Sequence, residues 1–162
     1  MATHAEKVFE ILNRHLDPEE AVSEWLRVDQ ARINRFADAI EDHQYIHVDP
    51  EKAARLSPYK TTIAHGFLTL SLLTRLVDGI APVDPLVEQK VAAGINYGFD
   101  KIRFVSPVRV DARIRARRRL LQVDLKDPNT IQVKQQVTIE VENETKPCLV
   151  AEWLTRRVYL AE

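Results

Sequence analysis

The fold is decided by the stretch Ile63-Ala64-His65-Gly66-Phe67-Leu68, which opens an apolar segment that continues to residue 76. Leucines at residues 68, 70, 72, 73 and 76 cover most of the circumference of a helix, and Asp78-Gly79 provides a stop signal. The spacing therefore predicts a helix over residues 63–76 that is buried nearly all round. His65, Arg75 and Asp78 interrupt the wider apolar segment, so it is too polar to cross a bilayer.

C-terminal to this helix the hydrophobic pattern changes to period two. Residues 131–141 place valine and isoleucine on one face of a strand, and mainly charged or amide side chains on the other. Comparable segments predict further strands over residues 91–97, 101–105, 113–123 and 149–159, with a turn at Asp127-Pro128-Asn129. A buried helix followed by an antiparallel meander predicts an α+β fold in which the sheet wraps around the helix.

The N-terminal part of the chain is predicted to begin with one short helix and one brief strand. Val8, Ile11 and Leu12 stand on a polar background and indicate an amphipathic helix, which Asp17-Pro18 ends or redirects. Residues 25–28 then fit a strand.

Residues 42–48 are predicted to be a loop between two helices. Asp29 can cap a helix whose apolar positions recur at three- and four-residue steps and which ends near Glu41. Asp49 is a second cap, and Pro50 after it is a strong signal for the first position of a helix. The loop therefore lies between the end of one helix and the start of the next.

Length and composition are those of one ordinary globular domain over residues 1–162. The chain is 45% hydrophobic and 29% charged with a formal net charge of -1, so no strong field attracts nucleic acid or an anionic membrane. Cys148 is the single cysteine and cannot form an internal disulfide, which favours a reducing, cytoplasmic location. The first residues lack the basic start and apolar middle of a signal peptide.

Two motifs carry a resemblance to a known family. The first is Asp42-His43-Gln44-Tyr45-Ile46-His47-Val48-Asp49-Pro50, followed by Ala53, and the second is His65-Gly66-Phe67-Leu68. With the predicted fold, they resemble the hot-dog fold of the MaoC-like dehydratase and R-specific enoyl-CoA hydratase family. Asn96-Tyr97-Gly98 makes the chain more similar to its NodN-like branch. The departures from the family's signature are Glu41 for glycine, Gln44 for asparagine and Tyr45 for proline.

The resemblance implies an antiparallel sheet wrapped around a long central helix, a homodimer and R stereochemistry. It also implies an acyl-CoA or acyl-carrier-protein thioester as substrate, with no cofactor. Asp42 and His47 would be the catalytic pair, and Gly66 the main hydrogen-bond donor to the oxyanion. The remaining candidates for oxyanion or substrate contacts are His65, Gln44, Ser71 and Asn96.

The chemistry of Asp42 and His47 can also be argued from the residues alone. Adding water to a double bond conjugated to a thioester needs a base for the water, an acid for the α carbon and donors for the enolate oxygen. A loop can bring the tips of Asp42 and His47 to one water molecule, whereas a helix would point them apart. At Gly66 the helix N-terminus offers unpaired N–H groups, and glycine lets a thioester oxygen approach the backbone closely.

Each of these residues also has an ordinary structural role. An aspartate after a helix is most often a cap or turn residue, and a loop histidine is most often solvated or hydrogen-bonded. His65 is expected to cap or buttress the helix start. Ser71 either bonds to the preceding turn or helps to position the catalytic pair. Asn96 either lines the pocket or packs against the helix.

A metal site is the main rival among the site chemistries. The possible ligands are Asp42, His43, His47, Asp49 and His65. The spacing of His43 and His47 suits one face of a helix, but Asp49-Pro50 starts the helix after both of them. The prediction is therefore that no metal binds.

Seven arginines between residues 103 and 119 form the most basic part of the chain. A turn at Asp127-Pro128 would set Arg115 near Glu140 and Arg113 near Glu142, so cross-strand ion pairs are expected. An arginine that is not neutralised in this way would meet the phosphates of coenzyme A. Nucleic-acid binding fits poorly, because the chain has no net positive charge and no matching motif.

The sequence is compatible with three functions. The preferred one is an R-specific enoyl-CoA hydratase or dehydratase, a hydro-lyase. A hot-dog thioesterase would share the fold and the acyl-thioester ligand but would release free thiol. A binding module for acyl-CoA or acyl-carrier protein would bind without turnover, with its loop disabled by the departures at Glu41, Gln44 and Tyr45.

Overall fold

Long antiparallel strands make up the second half of the chain, and most of the helices precede them. The computed structural model describes residues 2–16 and 21–161, so the predicted helix end at Asp17-Pro18 lies outside the described residues. The helices are α1 His4–Asn13, α2 Gln30–Ile40, α3 Tyr45–Val48, α4 Pro50–Leu56 and α5 Gly66–Asp78, with a 3₁₀ turn over Pro85–Glu88. The strands are β1 Ala21–Val22, β2 Leu26–Arg27, β3 Val91–Phe104, β4 Arg113–Asp127, β5 Thr130–Val141 and β6 Leu149–Tyr159.

The described strands form one antiparallel sheet in the order β1-β4-β5-β6-β3, with β2 also paired to β4. The hairpin between β4 and β5 turns at the predicted Asp127-Pro128-Asn129, where the Asp127 carboxylate accepts a hydrogen bond from the Asn129 N–H at 2.9 Å. Strand β6 has the predicted bounds. The β5 residues that were predicted to face inward are all buried, namely Ile131, Val133, Val137, Ile139 and Val141.

The prediction of two strands over residues 91–97 and 101–105 is wrong, because β3 is one continuous strand. Its pairing with β6 shifts register between Asn96 and Gly98, and again between Phe99 and Lys101. A bulge adds a residue to one strand, so the alternation of side chains is broken while the hydrogen-bonded pairing continues. The interruption in the sequence pattern therefore marks bulges and not a strand end.

Helix α5 lies against the inner face of the sheet, as the sequence predicts. Its residues Leu68, Leu72 and Leu73 belong to the same buried cluster as Ile114 of β4 and Ile139 of β5. Fully burying a leucine or isoleucine side chain is worth about 1.5–3 kcal/mol, so this contact holds the helix and the sheet together. An antiparallel sheet around one central helix is thus the architecture of the described chain.

Helix α5 is not buried nearly all round, which corrects the prediction from its leucines. Phe67, Ser71, Thr74 and Arg75 are exposed, whereas Leu72 and Leu76 are buried. The helix also begins at Gly66 and not at Ile63, because Ile63 pairs with Arg109 in an isolated β-bridge. A single chain supplies one sheet face, which covers one side of the helix and leaves the other open.

The predicted cross-strand ion pairs between β4 and β5 are confirmed. Arg113 lies 2.9 Å from Glu142, and Arg115 lies 2.7 Å from Glu140. Arg117 also contacts Glu140, at 2.6 Å. These arginines are therefore held by carboxylates on the outer face of the sheet.

The helices of the described chain are all too short or too polar to span a membrane.

Candidate active site

Asp42 is positioned by the way in which α2 ends. Glu41 takes a left-handed conformation with φ 59°, and the Asp42 N–H donates to the carbonyl oxygen of Ala37 at 3.1 Å. The Asp42 carboxylate accepts a hydrogen bond from the Gln44 N–H at 3.3 Å, while its side chain is 51% exposed. The carboxylate is thus oriented by local backbone but open to solvent.

His47 lies on the short helix α3, so the prediction that residues 42–48 form only a loop is wrong. The carbonyl oxygen of Gln44 accepts the N–H groups of His47 at 2.9 Å and Val48 at 3.3 Å, which closes one helical turn. This turn directs His47 inward, where it is 8% exposed. So short a helix has no amphipathic period that a sequence pattern could reveal.

The imidazole of His47 has a defined tautomer. Its Nδ1 lies 2.7 Å from the carbonyl oxygen of Ile63, and a carbonyl can only accept, so Nδ1–H donates and Nε2 carries the lone pair of the neutral ring. Burial, and to a smaller extent the neighbouring His65, lower the pKa of His47 below 6.5. The bond to Ile63 and the charge of Asp42 oppose that shift. His47 is therefore a neutral base near pH 7.

His65 links the other two residues. Its Nε2–H donates to the backbone carbonyl of Asp42 at 2.9 Å, and its ring stacks on that of His47 with 3.8 Å between centroids. Phe36 makes an edge-on contact with the same ring, with 5.3 Å between centroids. The side chain makes no capping bond to α5, which corrects one of the two expected roles of His65. Its Nδ1 is buried without a hydrogen-bond partner among the described residues.

Asp42, His47 and His65 converge, with one potential ligand atom of each lying within 4.8 Å of the others. Of the other possible metal ligands, His43 lies 2.8 Å from Asp38, and Asp49 caps α4 by accepting the Lys52 N–H at 2.9 Å. The grouping suits proton transfer as well as a metal. That no metal binds stays a prediction, which metal analysis of the purified protein tests.

Gly66 is the first residue of α5, immediately after His65. The Thr69 N–H bonds to the carbonyl oxygen of His65 at 3.2 Å, so the preceding N–H groups of the first turn have no partner inside the helix. A β carbon at Gly66 would lie 3.0 Å from the Phe104 ring. Glycine therefore suits this position because the Phe104 ring packs closely against it.

Gln30 and Thr62 support the site and were missed by the sequence analysis. Gln30, the first residue of α2, donates from Nε2 to the carbonyl oxygen of His47 at 2.7 Å. Its Oε1 accepts the Thr62 hydroxyl at 2.5 Å, which connects α2 to the chain just before Ile63. Nothing near Gln30 in the sequence signals this bridge, because its partners are 17 and 32 residues away.

The remaining candidate residues lie apart from the Asp42–His47–His65 group or contribute only backbone. Gln44 contributes its N–H and its carbonyl, as described above, and its side chain is exposed. Ser71 lies on the open side of α5, where its hydroxyl donates to the carbonyl oxygen of Phe67 at 2.7 Å. Asn96, on β3, lines a cavity that includes residues from the C-terminal half of α5.

Comparison with known proteins agrees with this fold. A family model described as the MaoC like domain matches residues 14–143. Nodulation protein N of Rhizobium meliloti is 48% identical over 136 residues, covering 84% of this chain and 82% of the relative. The 3-hydroxyacyl-thioester dehydratase Z of Mycobacterium tuberculosis is 46% identical over 136 residues, covering 84% of this chain and 86% of the relative.

Solved structures resemble the chain at lower sequence identity. The MaoC-like dehydratase from Rhodospirillum rubrum superposes with a TM-score of 0.71 at 21% identity, covering 93% of this chain and 98% of that one. The (R)-hydratase of A. caviae superposes with a TM-score of 0.66 at 22% identity, covering 85% and 92%. The chain therefore belongs to the MaoC-like family and has the hot-dog fold, as the sequence motifs predicted.

Proposed function

We propose that the protein is an R-specific hydratase or dehydratase that adds water reversibly to trans-2-enoyl thioesters. The observation that carries this proposal is the neutral, buried His47, whose Nε2 lone pair is left free by the bond from Nδ1 to Ile63. Asp42 is the second member of the proposed catalytic pair, and the N-terminus of α5 at Gly66 is the proposed donor to the oxyanion. Membership in the MaoC-like family supports hydro-lyase chemistry in general.

In the hydration direction, His47 and Asp42 hold a water molecule beside the β carbon. His47 Nε2 removes a proton as the water oxygen bonds to the β carbon and the π bond between the α and β carbons breaks. The electron pair moves to the thioester oxygen, where the Gly66 N–H donates to the developing enolate. The Asp42–His47 pair then delivers a proton to the α carbon, which gives the 3-hydroxyacyl thioester. Dehydration reverses these steps.

Several features of the chain suit this mechanism. The lowered pKa of His47 keeps it unprotonated at neutral pH, as a general base requires. The α5 dipole and its first N–H groups favour an oxyanion at Gly66. We propose that the acyl group arrives on coenzyme A or a carrier protein. The thioester named for the M. tuberculosis relative supports this class of substrate.

We also propose that the protein acts as a cytoplasmic homodimer. Strand β3 is at the edge of the sheet, and Ile95 and Tyr97 on it are exposed, as are Phe67 and Phe104 beside the site. A long apolar edge strand is a template for pairing with another chain. Sedimentation velocity should give a dimer, and a monomer over a wide concentration range would contradict the proposal.

The test of the function measures loss of the conjugated absorbance of a trans-2-enoyl-CoA, with a free-thiol assay in parallel. Asp42→Asn and His47→Gln should each lower the rate by about a hundredfold or more, because each removes part of the proton transfer. Asp38→Asn and His43→Gln are matched controls, because this exposed pair lies outside the Asp42–His47–His65 group. Full activity in folded Asp42→Asn protein contradicts the proposed pair. Thiol release indicates a thioesterase, and binding without turnover indicates a binding module.

A further inference from the structure

A cavity of about 300 Å³ lies beside the C-terminal half of α5, away from the candidate active site. Thr74 and Val77 line it from the helix, and all four long strands contribute to its wall. These helix residues follow Gly66 by 8 and 11 positions. At 1.5 Å per residue, the cavity therefore lies about 12 to 17 Å from Gly66 along the helix axis. Its volume is at the lower end of the range for small-molecule sites.

Arg118 brings a positive charge to the inner face of the sheet. On β4 the residues Ile114 and Ala116 face the core, and Arg118 has the same parity along an unbroken register. It lies opposite Val137, another core residue, and it lines the cavity. Arginine is rarely found on a core face unless a partner holds it. Here the guanidinium has no hydrogen bond or ion pair with any residue that the structure describes.

Among the residues that the structure describes, neighbouring charges leave Arg118 uncompensated. Glu88 is the acidic side chain whose charge raises the pKa of Arg118, but its carboxylate already lies 2.7 Å from Arg157. The described residues that line the cavity include three arginines, at 118, 156 and 157, and two acids, Asp78 and Glu88. Burial and the charge of Arg157 lower the pKa of Arg118, which shows that its environment opposes the positive charge. One negative charge from a ligand would balance the site.

Two buried polar side chains mark the same cavity. Gln135 is 6% exposed and Trp153 is 5% exposed, and both line the cavity. Gln135 Oε1 and Trp153 Nε1 are buried and have no hydrogen-bond partner among the described residues. Such groups are stabilised when a bound molecule supplies the missing bonds. The indole N–H is a donor, as Arg118 is, so both suit an acceptor such as an oxyanion. Gln135 Oε1 can only accept, so it needs a donor other than the oxyanion.

The rest of the wall is apolar. Leu12 of α1, Val77 of α5, Val83 and Val133 of β5 lie around the polar group formed by Arg118, Gln135 and Trp153. A ligand that satisfies both parts has a short hydrocarbon chain and one anionic end. A phosphate dianion would overcompensate the single excess charge and would leave the apolar wall unfilled.

We propose that this cavity binds an organic carboxylate with a short apolar chain, and that Arg118 pairs with the carboxylate. The carboxylate has two possible sources. It is either a free acid or the far end of an acyl chain whose thioester lies at Gly66. The second source rests on the proposed hydratase function, whereas the first does not.

The fluorescence of Trp153 provides a direct test of ligand binding in the cavity, because the chain has only one other tryptophan, Trp25. Trp25 lies under Arg115, with 4.4 Å between the guanidinium carbon and the ring centroid, and does not line the cavity. In a Trp25→Phe protein, fluorescence therefore reports on the cavity alone. Hexanoate should change the Trp153 emission saturably. 1-Hexanol, which lacks the charge, and acetate, which lacks the chain, should bind at least about tenfold more weakly.

The variant that tests the ion pair is Arg118→Gln in the Trp25→Phe background. It should weaken hexanoate binding by about tenfold or more and leave 1-hexanol unchanged. Arg118→Lys keeps a positive charge and should retain part of the affinity, which covers the case in which Arg118→Gln protein folds poorly. Arg35→Gln is the matched control, since Arg35 is exposed on α2. Equal binding of hexanoate and 1-hexanol, equal binding in Arg118→Gln protein, or an unchanged Trp153 signal would each overturn the proposal.

Turnover distinguishes the two sources. A twelve-carbon trans-2-enoyl-CoA is compared with its analogue that carries a terminal carboxylate. If the acyl chain is the ligand, wild-type protein prefers the carboxylate analogue and Arg118→Gln lowers that preference by about tenfold. If a free acid is the ligand, hexanoate binds but no such preference is seen. A protein without hydratase activity leaves the fluorescence test intact, so the two proposals fail separately.

Discussion

The ring of His65 lies stacked on the ring of His47, with 3.8 Å between their centroids and 24° between their planes. His65 also donates from Nε2–H to the backbone carbonyl of Asp42 at 2.9 Å. One buried side chain at the start of α5 therefore touches both members of the proposed catalytic pair. His65 is best regarded as a positioning residue, because its polar contacts are to the protein.

Replacing His65 with Phe should change the pH dependence of the reaction as well as its rate. The aromatic ring preserves the stack, but the bond to Asp42 is lost, so kcat should fall by about tenfold. His65 lowers the pKa of His47, so its removal should move the acidic limb of the pH–rate profile to higher pH. An unchanged limb in folded protein would mean that His65 acts only through packing.

Stability should depend on pH through His47. Its pKa in the folded protein is below 6.5, so below that pH the unfolded chain binds more protons than the folded one. The contribution of His47 to the free energy of unfolding is therefore fully present above about pH 6.5, and it declines as the pH falls toward the folded pKa. Urea unfolding of wild-type and His47→Gln proteins from pH 7.5 to 5 tests this. The variant should show a shallower decline in that window, and parallel curves would refute the assignment.

Glu41→Gly should stabilise the fold. Glu41 holds φ at 59°, a left-handed conformation that costs a residue with a β carbon about 1 kcal/mol and that glycine adopts freely. The free energy of unfolding should therefore rise by about 0.5–1 kcal/mol. Arg35→Gly, on an exposed helical position of α2, is the control and should lower it by about 1 kcal/mol. Destabilisation by both variants would show that the Glu41 side chain makes a compensating contribution.

Gly66→Ala should impair the proposed oxyanion site through Phe104. The new methyl group would lie 3.0 Å from the Phe104 ring, so the ring or the helix start must move. We expect kcat to fall by about tenfold or more, since donors in such a site act only when aligned. Phe104→Leu added to Gly66→Ala should recover part of the loss if the collision is the cause. No recovery in a folded double variant would place the effect at the Gly66 backbone itself.

Local sequence was sufficient for much of the fold. Asp29 and Asp49 cap α2 and α4 as predicted, because a cap is a bond between residues three apart. The alternation on β5 predicted its inner face, and the same register predicted the Arg115–Glu140 pair. These features depend on neighbours along the chain or on one hairpin.

The candidate site was predictable in its residues but not in its geometry. The motifs around Asp42, His47 and Gly66 could be recognised in the sequence, and so could the family. The stack of His65 on His47 and the support from Gln30 could not, because they join residues that lie 17, 18 and 32 positions apart. The helical turn at His47 was hidden for a different reason, since four residues are too few to show a period.

The sequence by itself thus determined the types of the longer elements, the Asp29 and Asp49 caps, the inner face of the sheet and the membership in the MaoC-like family. Tertiary structure alone decided that β3 is one bulged strand, that one side of α5 is open, and that Arg118 faces a cavity. The physical reason is the range of the interactions. Caps and alternation depend on residues close in the chain, whereas burial and ring stacking depend on which distant surfaces the fold brings together.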